Sequence, residues 1–365
     1  MPSRPSRLVT SMLLAVWIGS PASSAAAFGT IDTGGQHREH ERITRAALSC
    51  ASETSSHDDC FEPGSMDFVA GHDREFGAVG APDSDEISDP SAHCDNADYL
   101  EGDYPRTREL ATAGLLDCVD HVRMRFGEGA DGAGDLLDDE GQVIEDEVDI
   151  AAECRVFEAV ERRAKCSTLE AFGRVLHGVQ DFYAHSNWAD VADPARPIAE
   201  DNPPGLGLPG PSPMFDLREE TPTTVPAELA TGCFVIRDEV AGVGECADRV
   251  THAALNKDNG LVDPDTGKAT DPTTPRGMVE DNFAKAVAGA IEETRRQWGD
   301  FRAELTSRYG EEEAALMTCA LTHDDPVDDC RRRDRVPTLV GVLAGGVVIG
   351  AVAVTLLQAR CRRRG

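Results

Sequence analysis

The sequence predicts a mostly α-helical protein: one exported helical domain with long irregular loops, followed by a single C-terminal transmembrane helix. Three observations carry that prediction. Apolar residues recur at helical spacing along most of the chain. Nine of the 21 prolines fall within residues 194–231, which marks an irregular excursion. Residues 336–359 contain no charged side chain.

Taken in order, residues 1–27 read as a secretory signal. Arg4 and Arg7 form a basic start, Leu8 to Ile18 an apolar segment, and Ala25, Ala26 and Ala27 a small-residue cleavage site, which would leave Phe28 as the mature N-terminus. Residues 38–50 place Ile43, Ala46, Ala47 and Leu48 on one helical face, and 107–126 place Leu110, Ala113 and Leu116 at steps of three. The segment 128–141 predicts an acidic loop, and 145–165 an acidic amphipathic helix. Ser167 and Glu170 make a capping-box pattern that would open a helix running through Phe172, Leu176, Val179 and Tyr183. After the Pro-rich loop 194–231, periodicity predicts a long helix over 277–308 and a shorter one near 311–321.

The uncharged run 336–359 exceeds the roughly 20 residues that a helix needs to span a bilayer core. Arg360, Arg362, Arg363 and Arg364 then form a basic tail, 360–365, of the kind that stays cytoplasmic. These features predict a cell-surface, single-pass protein whose exported domain covers 28–335. The cysteines agree: ten lie in that exported part and Cys361 alone lies beyond the span. Up to five disulfides follow, with Cys50–Cys60, Cys233–Cys246 and Cys319–Cys330 as short-range candidates. No CxxC pair is present, which argues against a thiolate zinc ribbon.

Charge narrows the partners. The chain carries a formal −31, but all 66 Asp and Glu and only 29 of the Lys and Arg lie in 28–335, a net −37. A field of that sign repels a phosphate backbone, so recognition of duplex nucleic acid through a basic surface is excluded, and a track for single strands is disfavoured.

His177, Asp181 and His185 carry the clearest chemical signal. Their spacing of four advances about 40° per step on a helix, so all three share one stripe. Leu176, Val179, Phe182, Tyr183 and Trp188 surround that stripe with apolar surface. Burying two imidazoles and a carboxylate together is costly without a compensating charge, and a zinc-type metal supplies one. His57, His72, His121 and His323 lie in polar or acidic surroundings and read as surface residues. Ser186 lacks a nucleophile-elbow setting, which disfavours serine hydrolysis. Asn187 is a candidate hydrogen-bond partner for a carboxylate behind the ligands.

The run LHGVQDFYAHSNW resembles the HxxxDxxAHSN motif of the fungal heterokaryon-incompatibility C family and its bacterial relatives. That family is similar to a branch of the zinc-dependent phospholipase C and single-strand nuclease superfamily. Three further segments match in order: FGTIDTGGQHREHERIT, AHCDNADYL and THAALNKDNG. Together they are similar to the actinobacterial CinY-type secreted proteins across most of 28–325. The resemblance implies a helical domain of the zinc-dependent phospholipase C type with two or three zinc ions.

The resemblance also implies roles for individual residues. Phe28 would ligate through its amino group and carbonyl, although the superfamily usually has Trp there. His40 is its expected partner, with His37 second. His93 matches the His that precedes the ligand helix, His177 and Asp181 match the HxxxD pair with Asp181 bridging two metals, and His185 would serve another zinc. His252 matches a later zinc ligand. The superfamily then expects Glu four residues on, where this chain has Asn256; Asp258 is the nearest carboxylate. Asp83 matches the Asp that orients the attacking water.

The function these features imply is a membrane-anchored, extracytoplasmic zinc-dependent phosphodiester hydrolase, phospholipase C-like, acting on a phospholipid or another phosphodiester. The alternatives are a single-strand nuclease-like hydrolase and a non-catalytic, metal-stabilised surface or biosynthetic accessory protein.

Overall fold

The computed structural model describes residues 28–50, 60–73, 75–150, 154, 156, 163–219, 224–234 and 244–330. The predicted signal 1–27, the predicted transmembrane segment 336–359, the tail 360–365 and His57 lie outside these residues. The described part belongs to one unit that ends at Cys330 and is mostly helical. Among the described residues no helix is long and apolar enough to cross a membrane.

The fold is organised around helix α6, Ala164–His185, of which every residue except Ser167 is buried. A helix apolar on only one side would face solvent on the other; this one is enclosed all round. Helices α4 (Arg108–Gly132) and α8 (Asn282–Tyr309) pack along it, α1 (Glu39–Leu48) and α9 (Glu311–Thr322) lie against α8, and α2 (Pro63–Ala70) packs on α1 and α6. Phe172 of α6 meets Trp298 and Phe301 of α8 at ring-centroid distances of 5.4 and 5.1 Å, and Phe126 of α4 meets Phe301 at 5.5 Å. Short helices α3 (Pro82–Asp85), α5 (Glu145–Val148), α7 (His252–Leu255) and α10 (Pro326–Asp329) punctuate the loops. The only strands among the described residues form two antiparallel two-residue ribbons: β1 (Gly71–His72) with β2 (Glu75–Phe76), and β3 (Leu261–Val262) with β4 (Ala269–Thr270).

Several predicted boundaries are corrected. Helix α6 begins at Ala164, and Ser167 lies inside its first turn, bonding back to the carbonyls of Arg163 and Ala164 instead of capping. Helix α4 runs on through Gly132, and a 3-10 turn continues to Leu136, so the first part of the predicted acidic loop is helical. Packing explains the extension: Gly129 and Ala130 are buried, and a methyl on Gly129 would lie 3.2 Å from Phe301 and 3.4 Å from the Thr168 carbonyl. Of the predicted helix 145–165, α5 covers Glu145–Val148, and Ala164 and Lys165 open α6, while most of 151–162 lies outside the described residues. Helix α8 starts at Asn282, not near 277, because the Asn282 side chain is committed to the chain before it: Nδ2 donates to the carbonyls of Val191 and Arg276, and Oδ1 accepts from Val191 N–H. The described residues of the Pro-rich loop are irregular as expected, apart from a 3-10 turn at Pro213–Phe215. Asn187 bonds the carbonyls of Pro204 and Glu228 and the amide of Ala230, so it fastens this loop and meets no carboxylate.

The ten cysteines from Cys50 to Cys330 all pair. The three expected disulfides form, together with Cys94–Cys118 and Cys154–Cys166. Cys94–Cys118 ties the loop that carries His93 to α4. Further, α6 approaches the 3-10 turn Ala78–Gly80 so closely at Gly173 that a Cβ there would lie 2.4 Å from Ala78 Cβ and 2.8 Å from Val79 N. Gly173→Ala is therefore expected to cost about 1–3 kcal/mol in denaturant unfolding, the usual range for overpacking. A change within experimental error would show that the turn yields freely.

Candidate metal centre

Four separate stretches of chain converge on one face of α6. His177 and Asp181 lie one turn apart on it, and His185 closes its last turn. The segment 28–30 lies alongside: Phe28 is fully buried, its ring meets His40 edge-on at 5.9 Å, and Thr30 Oγ1 donates to Asp83 Oδ2. Helix α3 presents Asp83 and is braced to α6 by Arg174, which donates to Asp85 at 3.0 and 2.7 Å and to Glu86 at 2.7 Å. A methyl on Gly178 would lie 2.8 Å from Val122 and 3.2 Å from the Ala92 carbonyl, so the glycine lets the His93 loop lie against the helix.

The first cluster comprises His40, Asp83, His93, His177 and Asp181. Asp181 sits between the three rings: its Oδ1 is 3.1 Å from His40 Nε2, and its Oδ2 is 2.9 Å from His177 Nε2 and 3.0 Å from His93 Nδ1. Asp83 Oδ1 lies 3.9 Å from both His93 Nδ1 and His177 Nε2. The second cluster comprises Asp95, His185, His252 and Asp258. Asp258 stands 3.2 Å from His185 Nε2 and 3.3 Å from His252 Nε2, and Asp95 Oδ1 is 3.4 Å from Nδ1 of each ring. The helical stripe read from spacing therefore divides, with His177 and Asp181 in one cluster and His185 in the other.

Hydrogen bonds behind the rings assign their protons. His177 Nδ1 is 2.8 Å from the Val79 carbonyl, which can only accept, so Nδ1 holds the proton. The bare Nε2 then faces a carboxylate oxygen and another imidazole nitrogen, His93 Nδ1, at 2.9 Å. His40 Nδ1 lies 2.8 Å from Gln180 Oε1, while the Gln180 amide donates to Thr44 and Thr294. His40 Nε2 and Asp181 Oδ1 are close neighbours, yet neither makes a hydrogen bond, and the same holds for His185 Nε2 and Asp258 Oδ1. Lone pairs that converge on a carboxylate oxygen without a proton between them repel, unless a cation lies among them.

The charge balance agrees. Burial alone would raise the Asp181 carboxyl, but the imidazoles of His177, His185 and His40 hold it well below the usual range. Burial opposes ionisation of Asp95 too, which His185 and His252 bring down to about 2, and of Asp258, which the same rings hold low. Among the described residues, the charged side chains within ion-pair distance of these three carboxylates are all histidines. The rings do not all answer as cations, because burial pushes His177 down although Asp181 faces it. Buried His and Asp groups of this kind can hold a metal ion, and two such groups in the first cluster and one in the second meet the distance requirement.

Every residue singled out as a ligand from the sequence is placed at one of the two clusters, with Phe28 beside the first. Asp258 faces His185 and His252, whereas Asn256 donates to His252 Nε2 and accepts from Asp258 N–H. Asp83 stands next to the first cluster and is the most accessible group there, at 11 % exposure. His37 is half-buried and pairs with Asp32, away from both clusters. His72 is exposed as expected, whereas His121 is largely enclosed and faces Glu86 and Asp89. His323 corrects its expected surface position: it is buried, its ring beside the Cys319 carbonyl and its own carbonyl accepting from Lys165. Two contributors escaped the sequence reading, Gln180 behind His40 and Asp95. Asp95 stands two residues beyond His93 in the same AHCDN string, and that nearness was its one available signal.

A buried ion triad lies behind the second cluster. Lys257 Nζ donates to the carbonyls of Ser186 (2.8 Å) and Leu255 (2.6 Å) and to Asp190 Oδ2 (3.1 Å), and Arg276 grips both Asp190 oxygens at 2.8 and 3.0 Å. The Lys257 amide also donates to the Ala184 carbonyl. Lys257 thus staples the end of α6, where His185 stands, to the turn that carries Asp258. No family model, curated protein or solved structure matches this chain.

Proposed function

We propose that this chain is an extracytoplasmic, membrane-anchored, zinc-dependent phosphodiester hydrolase of the phospholipase C kind, as its motif resemblance implies. The observation that carries the proposal is the pair of buried histidine–carboxylate clusters, in which His40 Nε2 stands 3.1 Å from Asp181 Oδ1 and His185 Nε2 3.2 Å from Asp258 Oδ1 without a hydrogen bond in either pair. Zinc is the metal that suits imidazole and carboxylate donors. His40, His93, His177 and Asp181, with Phe28 and Asp83 at the margin, would hold it in the first cluster, and His185, His252 and Asp258 in the second. When bound there, zinc supplies Lewis acidity toward a phosphoryl oxygen and makes a water nucleophilic near neutral pH.

The side chains contribute the rest. Asp181 turns one oxygen to His40 and the other to His93 and His177, so it would contribute a carboxylate to a metal held on either side. Val79 and Gln180 hold the rings of His177 and His40 in the tautomer that leaves Nε2 free. Asp83, the most open of the group, is placed to accept a proton from a water at the edge of the cluster. The acidic exterior favours lipid head groups over nucleic acid as the phosphodiester.

One observation favours a second reading. The ligand candidates other than Asp83 are almost fully buried, His93 being the most open at 5 % side-chain exposure, so the metals can also serve purely to stabilise a surface or accessory protein.

The test is metal analysis of the purified full chain, followed by an assay panel of phospholipids, soluble phosphodiesters and single-stranded nucleic acid. Two or three zinc ions per chain are expected, falling by at least one in His177→Ala, with hydrolysis that a chelator abolishes. Fewer than one zinc, unchanged by His177→Ala, would reject the metal centre. A full zinc complement without hydrolysis of any substrate would leave the second reading.

A further inference from the structure

The second cluster is closed to solvent on almost every side. Asp258 is fully buried, and His185 and His252 are nearly so. Asp95 has slightly more open surface than these, at 4 % exposure. Asp95, His185 and His252 each offer a ligand atom close enough to the others to hold one metal ion. An ion that reaches Asp95 has therefore reached the cluster.

A cavity of about 270 Å³ leads to that residue. Ser91 and Asp95 line it from the loop that carries His93, Ala113 and Asp117 line it from α4, and Arg106 stands between them. Its volume equals that of about nine waters at their liquid share of about 30 Å³ each, which is room for a divalent cation with most of its hydration shell. The walls are held at a fixed separation, because Cys94, next to Asp95, is bonded to Cys118, next to Asp117. Cys94 and Asn96 are both left-handed, with φ of 53° and 62°, a conformation that costs a side-chain-bearing residue energy and persists only where the surroundings enforce it. Three contacts enforce it at Asn96: its amide donates to the Gly232 carbonyl, its Oδ1 accepts from Phe234 N–H, and its Nδ2 donates to the Phe234 carbonyl. The Asp95 amide donates to the Pro90 carbonyl at 2.9 Å. The opening is thus built into the fold.

Charge on the walls favours a cation. Asp117 is exposed and Asp95 is buried, so one carboxylate marks the outer part of the space and the other its inner end. Arg106 is committed to the wall itself: its guanidinium meets Asp98 at 2.7 Å and donates to the Asn96 carbonyl. That pairing takes up its charge and leaves the two aspartates to set the local potential.

We propose that this cavity is the loading port of the second cluster: a hydrated divalent cation enters past Asp117, exchanges water for the Asp95 carboxylate and passes on to His185 and His252. The proposal rests on the metal-binding half of the function proposed above and is independent of hydrolysis. Carboxylate followed by imidazole suits zinc, which takes both kinds of donor.

Zinc exchange kinetics of the full chain test it. Release from the zinc-loaded chain is followed after mixing with excess chelator, and uptake is followed on the metal-depleted chain. The equivalent that is lost in His252→Ala, and again in Asp258→Asn, belongs to the second cluster. Ala113→Trp sets a bulky ring at the cavity from an exposed position on α4. Uptake and release of that equivalent are expected to slow together by about 10-fold, since passage then waits on an opening of the packed wall. Its affinity and the rates of the other equivalents should keep their wild-type values, as should all rates in Ala113→Ser. Asp117→Asn is expected to slow uptake at the second cluster by about 10-fold at low ionic strength, and by less at high salt. Wild-type exchange rates in Ala113→Trp overturn the port, and so does equal slowing of every equivalent. A wild-type chain that binds no zinc overturns the metal centre together with this proposal, whereas failure of the port alone leaves zinc content and affinity intact.

Discussion

Asp181→Asn is expected to release at least one zinc equivalent and to lower any chelator-sensitive hydrolysis by more than about 100-fold, beyond the loss typical of groups that only orient ligands. Both oxygens of Asp181 are engaged, one with His40 and the other with His93 and His177, so an amide replaces one anionic donor with an N–H that no bare ring nitrogen can share with a metal. Metal content of the purified variant measures the first effect, and thermal unfolding in the presence and absence of zinc measures a related one. A ligand present at 1,000 times its dissociation constant stabilises the folded state by about 4 kcal/mol per site, so the zinc-dependent rise in stability should shrink by about that amount for each site lost. A variant that keeps the wild-type zinc content would show that Asp181 is not a ligand.

The second large effect lies in the ion triad. Asp190→Asn is expected to destabilise the chain by about 3–5 kcal/mol, because it leaves Lys257 and Arg276 as buried cations with no anion between them. Denaturant unfolding of the single variant and of Asp190→Asn/Lys257→Met gives the check. Removing the lysine as well deletes one of the stranded charges, so the double variant should be more stable than additivity allows. Strict additivity would mean that the lysine and the aspartate stabilise the chain independently.

How much of this was legible in the sequence follows from the kind of order each element has. The stripe of His177, Asp181 and His185 was visible because an α-helix converts a spacing of four into one face, and its apolar flanks forecast the burial of α6. The end of α4 was not visible, because EGADG carries loop composition and continues as helix only where Gly129 meets Phe301 and Thr168 from other parts of the chain. The same holds for Ser167, whose capping-box pattern was overridden when the helix began at Ala164. At the site, the residues named within the matched strings, Asp258 among them, do come together in the two clusters. Asp95 could not be named, since its role depends on two left-handed neighbours, a disulfide and rings that arrive from residues 185 and 252. The split of one helical stripe into two clusters is likewise a tertiary fact: it is decided by which loop reaches each turn of α6. The Lys257 staple gave no pattern at all, as buried lysines are rare and this one is compensated by Asp190, 67 positions away.

The enclosure of α6 sets a kinetic hierarchy within the molecule. Amide hydrogens exchange with solvent through openings whose cost follows burial and contact density, and a helix surrounded on all sides belongs to the costliest, near-global class. His177, Asp181 and His185 therefore ride on the slowest-exchanging segment of the protein. Segment 28–30 and helix α3, by contrast, reach the first cluster from its margin, and fluctuations there can admit or release an ion while α6 stays folded. An ion held at the first cluster would then exchange through the motion of its rim, decoupled from the unfolding of α6.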